Sequence, residues 1–231
     1  MITYGAMTRT IQSITIIGLL IVAVGLSAQE GIQRVNNVYT VDVEDLTQYG
    51  IDTGYLVPAG LSTGILAPDF AAVDQKGQEV HLSEVYRDHQ VVLVFYRGHW
   101  CSICNSQLQK LSDSLDLLED NGVKVIAVTP ESMAGVDIMS KAVNAHFSIV
   151  SDTTHTILDA YGVTFHATPE YTHRIEARAI IKPTEDLSDH QAILPVPATY
   201  LIDRGGEIIF AHFDPNYRIR ATIKEILTFL N

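Results

Sequence analysis

The sequence predicts an α/β domain in which a central mixed β-sheet is flanked by helices. Three observations predict it. Val91–Tyr96 (VVLVFY) is an unbroken apolar run, rich in β-branched and aromatic residues, of the kind that fills a strand buried on both faces. Val123–Val128 (VKVIAV), apolar but for Lys124, is the next strand, and between the two Leu108, Leu111, Leu115 and Leu118 recur at helical spacing until Asn121-Gly122 stops them. Thr199–Asp203, the turn Arg204-Gly205-Gly206 and Glu207–Phe213 read as a β-hairpin. A strand–helix–strand unit makes the first two strands parallel neighbours, and the hairpin makes the sheet mixed.

The first 28 residues carry one charge, Arg9, and an apolar stretch from Ile14 to Leu26, with the small residues Gly25, Ser27 and Ala28 before Gln29. This is short for a membrane span and has the layout of a secretory signal, residues 1–28, cut before Gln29. An uncleaved N-terminal anchor is the alternative, and both readings export the domain to a periplasmic or other extracytoplasmic place. Residues 29–63 are polar and glycine-punctuated, an extension wrapped on the main domain, with VDVEDL opening a short helix. The main domain, 64–231, starts around Ala67-Pro68-Asp69-Phe70. After the second strand a helix begins near Pro130 and Glu131. A third strand is expected near Phe147–Val150 and a short helix from Thr154 to Tyr161, stopped by Gly162. Residues 163–194, with His166, His173 and His190, read as an insertion. A last helix is expected over about 217–230, with Ile219, Ile223, Ile226, Leu227 and Leu230 on one face and Asn216 as its cap.

Composition excludes several classes. The chain has 47% hydrophobic residues, which argues against disorder, and 15 Lys+Arg against 27 Asp+Glu, a formal charge of −12. That balance repels phosphate backbones and anionic headgroups, so neither a nucleic-acid partner nor stable membrane binding after leader removal is expected. Two cysteines, Cys101 and Cys104, are too few for a disulfide-stapled scaffold or a four-cysteine zinc site.

Those two cysteines carry the chemistry. They follow a strand and RGHW and open a helix, three residues apart and on one side of its first turn. Unpaired backbone N–H groups and the positive end of the helix dipole favour thiolate there. An unperturbed cysteine is only about 3% thiolate at pH 7, whereas a pKa near 7 makes about half of it reactive. Trp100 can shield the pair, and Arg97 or His99 can add positive charge. As a staple the pair is poorly placed, since so short a loop gains only about 2 kcal/mol in the chain-entropy account. Haem attachment needs a histidine where Asn105 stands. A metal site would have to draft His99, His166, His173 or His190, with no second paired motif to support it. Redox function is the better reading, and it needs no cofactor. Pro197, before the strand at Thr199, is an ordinary strand-start proline on its own merits.

Ala67-Pro68-Asp69-Phe70, Gly77, Leu82-Ser83, FYRGHWCSIC, Gln107-Leu108 and LPVPATYLIDRGGEI, in that order, resemble the thioredoxin-fold redoxins. The likeness is to the peroxiredoxin-like branch of the alkyl-hydroperoxide-reductase/thiol-specific-antioxidant (AhpC/TSA) family. The resemblance covers about residues 64–230 and implies a thioredoxin-like fold, with Pro197 in the place of that fold's cis-proline and Thr199 just beyond it. It departs from typical peroxiredoxins, which carry FYP and then Thr-x-x-Cys. Aligned on Phe95-Tyr96, Arg97 falls on the proline, Cys101 on the threonine and Cys104 on the peroxidatic cysteine, while the family's later arginine falls on Pro197.

The resemblance implies a thiol-dependent peroxidase in which one cysteine attacks a peroxide, the other resolves the sulfenic acid to a disulfide, and a thioredoxin-type donor recharges the pair. The departures strengthen an alternative, an exported thiol–disulfide oxidoreductase in which Cys101 attacks a client disulfide and Cys104 releases it. A metal-delivery module using both cysteines and a histidine is the third class.

Overall fold

The computed structural model describes residues 33–35, 38–40, 43–179 and 191–230; the expected signal and the start of the extension lie outside them. Two short strands, β1 (Gln33–Val35) and β2 (Val38–Thr40), lead into a 3₁₀ helix over Val43–Tyr49, where VDVEDL is expected to turn helical. The hairpin β3 (Ala71–Val73) and β4 (Glu79–His81) runs into α1 (Leu82–Asp88). The expected strand–helix–strand unit follows as β5 (Gln90–Phe95), α2 (Ser102–Asp113), α3 (Leu115–Asp120) and β6 (Val123–Thr129). Then come α4 (Met133–Ala142), β7 (Ser148–Ser151), α5 (Thr156–Ala160), β8 (Thr164–His166) and α6 (Pro169–Ala179). The chain closes with β9 (Ile193–Pro195), β10 (Ala198–Ile202), β11 (Ile208–Phe213) and α7 (Ile223–Leu227).

The main sheet has the order β1-β2-β11-β10-β5-β6-β7, with β5, β6 and β7 parallel and β10 antiparallel to both β5 and β11. It is the mixed sheet that the sequence predicts, with β5 an interior strand between β10 and β6. Successive residues of β5 point to opposite faces, and both faces are buried. Val91, Leu93 and Phe95 pack with Leu82, Leu158 and Tyr161 on one side; Val92 and Val94 pack with Leu108, Leu111, Leu118 and Met139 on the other. The leucine stripe is buried as expected, but the single predicted helix is two, broken at Ser114, whose N–H bridges the carbonyls of Lys110 and Leu111. Residues 46–66 wrap on the domain: Leu46 and Ile51 enter the core and Leu61 N–H donates to Tyr200 Oη at 3.0 Å.

Within the expected insertion, β8 pairs antiparallel with β9 and α6 lies between them. Two expectations need correction. The last helix is only α7. Asp214 and Asn216 turn the chain through side-chain acceptors for the N–H groups of Asn216 and Arg218, so Asn216 caps no helix. Thr222 does, in a reciprocal capping box with Glu225. Finally, the Val196–Pro197 peptide is trans, no cis bond occurring among the described residues. Extended pairing on both sides suits the trans form: Val196 N–H donates to Val163 O at 2.8 Å and Ala198 is registered with Phe95. Among the described residues no helix is long and apolar enough to cross a membrane.

Candidate active site

The site forms where β5 ends, beyond the carboxyl edge of the parallel strands. Tyr96 N–H still donates to Val128 O at 3.0 Å, so the chain leaves the sheet at Arg97. Gly98 lets it turn. With φ at +156°, a Cβ there would stand 2.5 Å from Trp100 Nε1 and 2.7 Å from the Glu131 carboxyl carbon. Cys101 then becomes the N-cap of α2, its Sγ accepting from Cys104 N–H at 3.3 Å. The two cysteines are paired as a disulfide with their Cα atoms 5.2 Å apart. The expected helix N-terminal placement is thus what the structure shows.

The two sulfurs differ in surroundings. Cys101 is 3% exposed and borders a cavity of about 290 Å³, whereas Cys104 is 0% exposed. Each faces a guanidinium. Arg97 Nη2 lies 3.0 Å from Cys101 Sγ and its Nη1 donates to Tyr171 Oη, while its plane covers the Tyr217 ring at 3.8 Å and sits 5.3 Å from the Trp100 ring. Arg220 Nη2 lies 3.8 Å from Cys104 Sγ. Burial pulls Arg97 below the usual guanidinium value. Burial together with the Arg97 charge brings Arg220 down to about 9, which still leaves it cationic at neutral pH. Two fixed cations beside two sulfurs favour thiolate over thiol in the reduced pair.

The other expected residues have separate places. Trp100 lines the cavity at Cys101 and packs, partly buried, against the cluster that holds both cysteines. His99 does not serve the sulfurs: its N–H and its ring Nδ1 are held by Glu131 at 2.7 and 2.6 Å. Burial raises the Glu131 carboxyl, opposed by those contacts with His99. Thr199 accepts from Gln107 Nε2 at 3.2 Å, tying β10 to α2, and Pro197 is buried at the start of the same strand. The histidines proposed for a metal do not converge on the cysteines. His166 stacks on Tyr55 at 3.9 Å and His173 lies exposed beside Glu176, while His190 is outside the described residues. No group of three metal-ligating side chains occurs among the described residues.

Sequence reasoning missed Glu131, Tyr171, Tyr217, Arg174, Arg218 and Arg220. One signal was available: Tyr217-Arg218-Ile219-Arg220 places two cations and an aromatic in four residues of an acidic chain.

A CxxC pair at the head of the helix that follows the central strand, on a mixed sheet of this topology, defines a thioredoxin-fold redoxin. The chain belongs to the AhpC/TSA family, whose profile matches residues 63–211. It is similar to the thiol-disulfide oxidoreductase ResA of Geobacillus kaustophilus, 29% identical over 62% of this chain and 64% of the relative. It is also similar to peroxiredoxin Bcp of Escherichia coli, 27% identical over 42% of this chain and 62% of the relative. The chain therefore spans less than two thirds of the length of these curated relatives. Among solved structures, peroxidoxin BcpB of Mycobacterium tuberculosis superposes with a TM-score of 0.55 at 17% identity, covering 73% of this chain and 95% of that one. A DsbE thiol:disulfide interchange protein assigned in Chlorobium tepidum gives 0.51 at 24% identity, over 74% and 99%. These two likenesses concern the fold.

Proposed function

We propose that the protein is a thiol-dependent, peroxiredoxin-like antioxidant oxidoreductase that reduces hydrogen peroxide or small organic hydroperoxides through a Cys101/Cys104 dithiol–disulfide cycle. The observation that carries this reading is the asymmetry of the pair: one sulfur borders a small cavity, the other is sealed, and each faces an arginine. Cys101 thiolate attacks the terminal peroxide oxygen. The O–O bond breaks, the alcohol or water leaves with a proton, and Cys101 becomes a sulfenic acid. Cys104 thiolate then attacks Cys101 Sγ and expels hydroxide, which leaves as water. A thioredoxin-type donor reduces the disulfide by exchange. Arg97 stabilises the thiolate and the charge developing on the departing oxygen, its Nη2 already 3.0 Å from the sulfur. Trp100, Pro197 and Thr199 position the helix and strand around the pair, and His99 acts with Glu131 in holding the turn.

A second reading, thiol–disulfide exchange with client proteins, draws on the likeness to ResA and on the burial of Cys104, the residue aligned with the peroxidatic cysteine. The small cavity and the 3% exposure of Cys101 favour the smaller substrate. For the chain as a whole we propose the division 1–28 signal, 29–63 extension and 64–231 redox domain, with export supported by the apolar stretch from Ile14 to Leu26.

Stopped-flow oxidation of the reduced protein by hydrogen peroxide, followed by the fluorescence of Trp100, the single tryptophan, tests the cycle. Oxidation far faster than that of free cysteine is expected, and Cys101→Ser should abolish it. A rate matching free cysteine, with rapid oxidation by a disulfide, would establish the exchange reading instead.

A further inference from the structure

We infer that the cavity at Cys101 is a carboxylate subsite, and that the preferred substrates are small hydroperoxides bearing a carboxylate near the reacting oxygen; the substrate class rests on the peroxidase reading above. The chain is strongly acidic overall, with a formal charge of −12, yet three arginines, Arg97, Arg174 and Arg218, line this one cavity. Among the described residues none of the three forms an ion pair. Their charges are instead oriented by rings. Arg174 lies over Tyr171 at 4.9 Å and Arg218 over Tyr217 at 4.6 Å.

Stacking occupies a guanidinium's face and leaves the N–H donors along its edge free, the geometry that grips a carboxylate through two parallel hydrogen bonds. Arg97 adds its charge at the wall of the cavity, beside Cys101. A volume of about 290 Å³ admits a small organic acid and is too small for a folded partner's surface. Once the carboxylate is held, the hydroperoxide oxygen is presented to Cys101, and the redox step is the one already written, with ROOH and two thiols giving ROH, water and the disulfide.

Two charge-paired reagents test this on the reduced full-length protein. Iodoacetate and iodoacetamide alkylate a thiolate with loss of iodide and differ in charge at similar size. The iodoacetate-to-iodoacetamide rate ratio at Cys101 should exceed that of free cysteine about tenfold, the scale of one charge-assisted hydrogen bond. It should fall back in R174Q/R218Q, two exposed positions whose change spares the core, and it should fall in the unaltered protein as salt is raised. A ratio equal to that of free cysteine, or one untouched by the double variant, overturns the subsite. Cumene hydroperoxide carrying a ring carboxylate, compared with its methyl ester, tests the substrate class, and the acid should oxidise the protein about tenfold faster. Equal rapid rates overturn this inference and leave the peroxidase reading standing. Rates no better than free cysteine with both, alongside the alkylation preference, overturn the peroxidase reading and leave the subsite.

Discussion

The floor beneath the cysteine pair and the roof above it rest on different physics. The floor is β5 with its neighbours, where Val92, Leu93, Val94 and Phe95 are all 0% exposed and every second side chain enters a different core. It comes from contiguous sequence and is held by apolar burial. The roof is assembled from three distant stretches: Arg97 after β5, Tyr171 and Arg174 on α6, and Tyr217, Arg218 and Arg220 between β11 and α7. It is held by ring–guanidinium stacking and hydrogen bonds. The contrast teaches that the floor decides where the sulfurs sit, whereas the roof sets the charges and the cavity beside them.

The largest effect should come from breaking the floor. Leu93 lies opposite Tyr200 and Ile126 in register, and Leu93→Ala leaves a cavity there. Urea unfolding should show a loss of about 2–5 kcal/mol, while the reactivity of Cys101 per folded molecule is unchanged. A much smaller loss would show that the floor repacks. Disturbing the roof should do the reverse. Arg97→Met removes the cation 3.0 Å from Cys101 Sγ, so the thiol pKa should rise and the reaction at neutral pH should slow about tenfold for each pKa unit gained. A titration of the thiolate's ultraviolet absorbance that matched the unaltered protein would remove Arg97 from the account.

The smallest effect is expected at Glu131, which joins the two regions through His99. Burial raises its folded pKa above the ordinary 4.5, so the folded protein retains a proton that the unfolded chain gives up. The stability this contributes is fully present below about 4.5 and is lost as pH rises through the folded value. Glu131→Gln should therefore flatten the decline of the unfolding midpoint between acid and neutral pH. A profile parallel to that of the unaltered protein would refute the assignment.

Legibility follows the same division. Val91–Tyr96 declares itself because a strand buried on both faces needs apolar residues at every position, Val123–Val128 because it is apolar at every position but Lys124, and Leu108 to Leu118 because one helix face meets the sheet. β8 and β9 did not: each has three residues, and their pairing spans the whole of α6. Ile219, Ile223 and Ile226 fit a helical stripe, yet residues 214–221 stay out of the helix, where Arg220 faces Cys104 and Tyr217 lies against Arg97. Local periodicity cannot see an attraction to residues more than a hundred positions away. The same holds for His99, whose partner Glu131 lies on another loop.

By itself the sequence determined a mixed α/β sheet, its central strand, and two sulfurs at the start of the following helix, because backbone periodicity and the spacing of two cysteines are local properties. Only the tertiary structure decided that Cys101 and not Cys104 meets a cavity, that His99 turns away to Glu131, and that six aromatic and cationic side chains gather over the pair. Charge and ring contacts act across space, and no spacing along a chain records which distant segments folding will bring to the same place.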